Sequence, residues 1–201
     1  MTNIQSNATK IQQLTGVGLL AATIVVIQAI STFTPMTIPL NLVLPTIVIG
    51  AAMYGAKAGL FLGLCFGAVV MVSGISGAAP LSLAMWTASP VLFIIVTLGR
   101  GAAQGFVAGV VYKALSKRNV QDGVLGAAIV APIVNTGIFL GVLILLFQDI
   151  LVGMAGDTNI IYHAFIVMAG TNFLIEMAVN IALVTVIARI ITIVKDKRHR
   201  G

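Results

Sequence analysis

Charge is what this chain has least of. Only 8% of its 201 residues are Asp, Glu, Lys or Arg, against roughly 25% in soluble domains. The five acidic residues are scattered and form no metal-binding motif. Cys65 is the single cysteine, so an intrachain disulfide and a cysteine-built zinc site are both excluded. Flanked by Leu64 and Phe66, it reads as a small buried apolar residue. Ser73, Ser76, Ser82 and Ser89 have no His/Asp relay in the pattern, and no nucleotide-binding loop follows a strand, so the residues offer no catalytic constellation. The polar start, MTNIQSNATKIQQL, has no basic stretch running directly into an apolar one and does not read as a cleaved signal peptide.

What the chain does have is apolar length. It is 59% hydrophobic with a mean hydropathy of +1.12. Several runs reach the roughly 20 residues a helix needs to cross a bilayer. These runs are long and continuous, unlike the short alternating segments of a membrane β-barrel. The expected fold is therefore all-α: a polytopic membrane protein with a six-transmembrane-helix bundle and irregular extracellular caps. A single membrane domain spans residues 1–201, with tails at 1–13 and 195–201.

Spans are expected at about residues 14–34, 42–54, 58–72, 90–115, 124–147 and 164–194, with GAKAG as the turn between the second and third. Residues 74–89 are too broken by Gly, Ser and Pro for a simple span and read as a cap or a re-entrant segment. Six spans place Lys10, Lys57, the Lys113/Lys117/Arg118 group and the basic tail on one side. The opposite side, made of 35–39, 74–89 and 149–163, carries no Lys or Arg. The positive-inside rule then predicts a multi-pass cell-membrane protein with both termini cytoplasmic. Gly55, Gly59, Gly63 and Gly67, and likewise Gly101, Gly105 and Gly109, recur every four residues. Such ridges let helix backbones approach closely, within the bundle or against another subunit.

Against this background each internal polar residue is informative. Arg100 stands between VLFIIVTLG and GAAQGFVAGVV, where an unpaired guanidinium is costly and calls for a partner or an aqueous cavity. A structural pair with Glu176 and a bidentate hold on an anionic solute are both open. Asn172, Glu176 and Asn180 in TNFLIEMAVN stand at i, i+4 and i+8, one polar stripe that should face the bundle. Asn135 follows Pro132 and suits amide or hydroxyl recognition as well as helix–helix bonding. Trp86 reads as an interfacial anchor or a lid over a ligand. Asn41, after Pro39, caps the second helix or contacts solute. In GVGLLAA, Gly16, Gly18, Ala21 and Ala22 form a small-residue surface on the first helix.

Together the small-residue first helix, the segment PLNLVLPTIVIGAAMYGAKAGLFLGLCFGAV, Arg100 on a Gly-rich helix and TNFLIEMAVN resemble the substrate-binding S-component of energy-coupling factor vitamin transporters. The resemblance spans nearly the whole chain. It implies a non-catalytic, cofactor-free subunit that captures a vitamin from outside. Such a subunit docks on a transmembrane coupling subunit served by two cytosolic ATPases. It implies that Gly16, Gly18, Ala21 and Ala22 contact the coupling subunit, with Gly18 and Ala22 in place of the family's AxxxA-type pair. The pantothenate group is the nearest likeness, which implies substrate contacts from Arg100, Asn135, Asn172, Glu176, Trp86 and Asn41. Nicotinate, riboflavin or folate specificity, a secondary transporter, and a membrane assembly subunit are the alternatives.

Overall fold

The computed structural model describes residues 2–33, 43–156, 159–162, 166 and 171–200; for 2–9, 32–33, 160, 171–172 and 194–200 it describes the backbone alone. Every described element is helical: α1 (Thr2–Phe33), α2 (Val43–Tyr54), α3 (Ala56–Ile75), α4 (Pro80–Ala88), α5 (Pro90–Leu115), α6 (Val120–Leu146), α7 (Gln148–Ala155), α8 (Ile160–Tyr162), α9 (Thr171–Ala182) and α10 (Val184–Arg200). The chain is an all-α, multi-pass membrane protein. Among the described residues, four helical stretches are long and apolar enough to cross a membrane, within α1, α3, α5 and α6. A fifth arises if α9 and α10, bent by 44° at Leu183, count as one span. Helix α2 has 12 residues. At 1.5 Å per residue it is about 18 Å long, short of a hydrocarbon core of about 30 Å.

Local chemistry sets the helix ends. Gly55, at φ +92°, joins α2 to α3 in a turn of one residue, a backbone conformation L side chains rarely adopt. Lys57, expected at the apex of that turn, already lies in α3 and is exposed. Pro80 and Pro90 occupy the first positions of α4 and α5, where a missing N–H costs nothing. Asn119 caps α6, its side chain accepting from the Gln121 backbone N–H at 3.1 Å.

Where the sequence suggested an irregular cap at 74–89, the structure folds α4 inside it. The connection after α6 contains α7 and the short α8. The last expected span is interrupted at Leu183, although no Pro or Gly stands between Val179 and Ile187.

The α3–α5 pair is the most extensive contact in the bundle, and the two glycine ridges make it. A side chain on Gly59 would run into the Gly105 carbonyl, one on Gly63 into the Gly101 carbonyl, and one on Gly67 would lie 2.6 Å from the Thr97 oxygen. The helices thus touch backbone to backbone. At one end Gly109 abuts Ala56 of α3, Gly16 abuts Tyr54 of α2, and Gly123 abuts Ser116. These contacts gather Lys10, Lys57, Lys113, Lys117 and Arg118 at a common basic end.

Among the described residues, three apolar clusters form the core. One near the basic end joins Leu44, Val48 and Ala52 to Ala108, Tyr112, Val124, Ala127, Ala131, Ile187 and Ile191. The second, at the far end, joins Met85 and Phe93 to Leu140, Leu143, Phe147 and Leu151, with Trp86 and Phe139 packed on it. The third, centred on Ile24, Ile47, Leu62 and Phe66, holds α1 to α2 and α3.

Candidate functional site

Helix α5 has two working faces. Gly101, Gly105 and Gly109 lie on α3, and Arg100 and Gln104 turn toward α6. The Arg100 guanidinium carbon stands 4.8 Å from the centroid of the Phe139 ring on α6, a cation–π arrangement. Glu176 on α9 acts on the same guanidinium electrostatically. Arg100, Phe139 and Glu176 are all half-buried. The pairing of Arg100 with Glu176, one of two roles the sequence left open for the arginine, thus has an electrostatic counterpart in the structure, with an aromatic face as a further partner.

Above this pair, away from the basic end, lies the cap. Trp86 on α4 is half-buried and meets Phe93 edge to face, with centroids 6.1 Å apart and planes at 75°. Both belong to the cluster that also packs Phe139. The tryptophan is thus tied to the ring beneath the guanidinium through one continuous apolar layer.

Below it comes a second polar tier. Helices α5 and α6 run antiparallel in a register read from two contacts: Arg100 with Phe139 and Ser116 with Gly123. The same register sets Gln104 level with Asn135. Helix α9 follows α5 downward, because Glu176 acts on Arg100 and, farther along, Ile187 and Ile191 pack with Tyr112. Asn180, one turn beyond Glu176, therefore shares the level of Gln104. All three carboxamides are buried, at 0% exposure for Gln104, 5% for Asn135 and 1% for Asn180. Both polar atoms of Gln104, both of Asn180 and Oδ1 of Asn135 have no hydrogen-bond partner among the described residues. An unmade hydrogen bond at a buried polar group costs about 1–3 kcal/mol.

Each of these carboxamides continues a helix column whose next turns are apolar. Ala108 and Tyr112 follow Gln104, Ala131 and Ala127 lie beyond Asn135, and Ile187 and Ile191 continue from Asn180. The arrangement is thus an apolar cap, an Arg–Glu–Phe tier, a carboxamide tier and an apolar floor.

Gln104 is not among the residues singled out by the sequence pattern, although a lone carboxamide four residues after a membrane arginine is a legible signal. Asn180 belongs to the sequence's polar stripe but not to its candidate contacts. Asn41 lies outside the described residues, as do His163 and the side chain of Asn172. On α1, Gly16 packs against Tyr54 and half-buried Ala21 packs on the α1–α3 cluster. Gly18 meets nothing within 4 Å, and both Gly18 and Ala22 are exposed. No group of three or more His, Cys, Asp and Glu residues able to hold a metal occurs among the described residues.

A separate open pocket of about 440 Å³ is lined by Asn119, Gln121, Arg189 and Thr192, among others. It lies 20 residues along α6 from Phe139, roughly 30 Å at 1.5 Å per residue, at the basic end and apart from the polar tiers. No protein-family model, curated protein or solved structure matches the chain.

Proposed function

We propose that the chain is a non-catalytic solute-capture subunit of a membrane transporter, and that its solute is a small water-soluble carboxylate, pantothenate first among them. The observation that carries this reading is Arg100. A guanidinium is held within a membrane-spanning helix beside a ring face and a carboxylate, and one turn along the same helix begins a set of buried carboxamides with polar atoms that lack a partner among the described residues. An intramembrane charge of this kind marks a solute or ion pathway, and its planar fork suits a carboxylate. Asn135 is placed to serve the solute's amide and hydroxyl groups. Trp86 and the cap it packs into close the site from outside.

In this reading α2 completes a six-helix bundle, and the basic end is cytoplasmic under the positive-inside rule. Energy comes from partners: a transmembrane coupling subunit and two cytosolic ATPases. The exposed Gly18 and Ala22 of α1 offer the coupling subunit a smooth surface. Solute is released because the reoriented state binds it less tightly.

The carboxylate of Glu176 favours one second reading, an ion-coupled secondary transporter in which it carries the coupling proton. Uptake that persists without ATPase partners and follows an ion gradient would establish that alternative.

The test is calorimetric titration of the purified chain with pantothenate, with nicotinate, riboflavin and folate as competitors. Saturable pantothenate binding that Arg100→Ala weakens at least tenfold supports the capture role and the anion clamp. Binding of a different vitamin keeps the role and changes the solute. A folded protein that binds none of them overturns it.

A further inference from the structure

We infer that Gln104 and Asn180, with Asn135, form an inner recognition tier that reads an uncharged hydrogen-bonding group of the captured solute, one helical turn from its carboxylate. The inference rests on the capture reading above and adds two residues and a ligand geometry to it. Its basis is the juxtaposition of three carboxamides from three helices at one level, each at least nine-tenths buried, with five polar atoms lacking a partner among the described residues. Buried polar groups in folded proteins are almost always bonded. Three of them at one level, a turn from a charge and with atoms lacking a partner among the described residues, point to a bound polar group.

The geometry also states what that group is. Gln104 follows Arg100, and Asn180 follows Glu176, by four residues, which is about 6 Å along a helix axis. The tier has no formal charge. Carboxamides both donate and accept, so they suit an amide or hydroxyl rather than a second ion. Beneath them Ala108 and Ala131, both at 0% exposure, belong to the apolar floor and end the polar column. The solute class is therefore a short carboxylic acid with an amide or hydroxyl about 6 Å from the acid group.

The experiment compares pantothenate with pantothenol, which keeps the amide and hydroxyls and replaces the carboxylate with an alcohol. Affinities for both are measured by calorimetry on the wild-type chain, Arg100→Ala and Gln104→Met, and ligand-free melting temperature is recorded for each. Gln104→Met keeps the shape and removes the hydrogen bonds. The expected result is a loss of about tenfold for both solutes in Gln104→Met, with its ligand-free melting temperature not lowered, whereas Arg100→Ala penalises pantothenate alone.

Unchanged pantothenate affinity in Gln104→Met overturns the inner tier and leaves the capture reading standing. A penalty on pantothenate but not on pantothenol overturns it as well. If Gln104→Met does not fold, Asn180→Leu on a different helix takes the same test. Failure of both to fold shows a structural tier and overturns the proposal. A wild-type chain that binds no carboxylate solute removes the capture reading and this inference with it.

Discussion

Two faces of the same helix solve opposite problems. Toward α3, helix α5 has no side chains to speak of: Gly101, Gly105 and Gly109 lie against Gly63, Gly59 and Ala56 with backbone meeting backbone. Toward α6 it presents Arg100, with Gln104 one turn on, among the most expensive side chains to hold in a membrane. The first face gains van der Waals contact and tolerates no added atom. The second holds buried polar atoms that lack a hydrogen-bond partner among the described residues. Membrane helices gain little from hydrophobic association, because lipid is as apolar as leucine, so close packing must supply the cohesion. The glycine seam is the rigid wall against which the polar face can be held.

That contrast can be broken from either side. The largest effect is expected at the seam. Gly63→Leu drives a branched side chain into the Gly101 backbone and should cost about 3 kcal/mol or more, seen as loss of the monodisperse folded protein in size-exclusion chromatography and melting. Next comes Arg100→Ala, expected to weaken carboxylate binding by roughly 10- to 100-fold, the loss of a charge-assisted pair. Its folded yield should stay well above that of Gly63→Leu, and an equal collapse would mean that Arg100 is structural.

Phe139→Leu removes the ring face beneath the guanidinium while keeping an apolar side chain. A cation–π contact contributes about 0.5–2 kcal/mol, so a several-fold loss of solute affinity is expected, smaller than that of Arg100→Ala in the same titration. The smallest effect belongs to Gly18→Ala, where nothing lies within 4 Å. Helix propensity favours alanine by about 1 kcal/mol, so melting should be unchanged or slightly raised. Gly16→Ala, whose new atom would meet the Tyr54 ring, should melt lower than Gly18→Ala.

Much of this is legible in the sequence. The glycine spacing announced a close seam, because a repeat of four puts every glycine on one helix face. Arg100 and Glu176 each called for a partner, because a charge alone in an apolar run is costly, but the sequence left open whether that partner was the other charge or a solute. Less visible were α4 and α7, short helices within stretches whose Gly, Ser and Asp content reads as loop. Both helices add to one apolar cluster that joins Met85, Trp86 and Phe93 to Leu143, Phe147 and Leu151, residues from two distant parts of the chain. The bend at Leu183 has no Pro or Gly to mark it. Gln104 carried a signal, but a carboxamide between alanine and glycine gives no hint of whether it meets a partner.

By itself, then, the sequence determined the class of solvent and the helical state, because both follow from local composition and spacing. A residue's hydropathy and its place on a 3.6-residue helix do not depend on distant neighbours. Tertiary structure decided which glycines meet, at what register α5 passes α6, and that Gln104, Asn135 and Asn180 share one buried level between an apolar cap and an apolar floor. Those facts depend on the relative height of separate helices. That height is set by steric fit along the seams, a property no single segment contains.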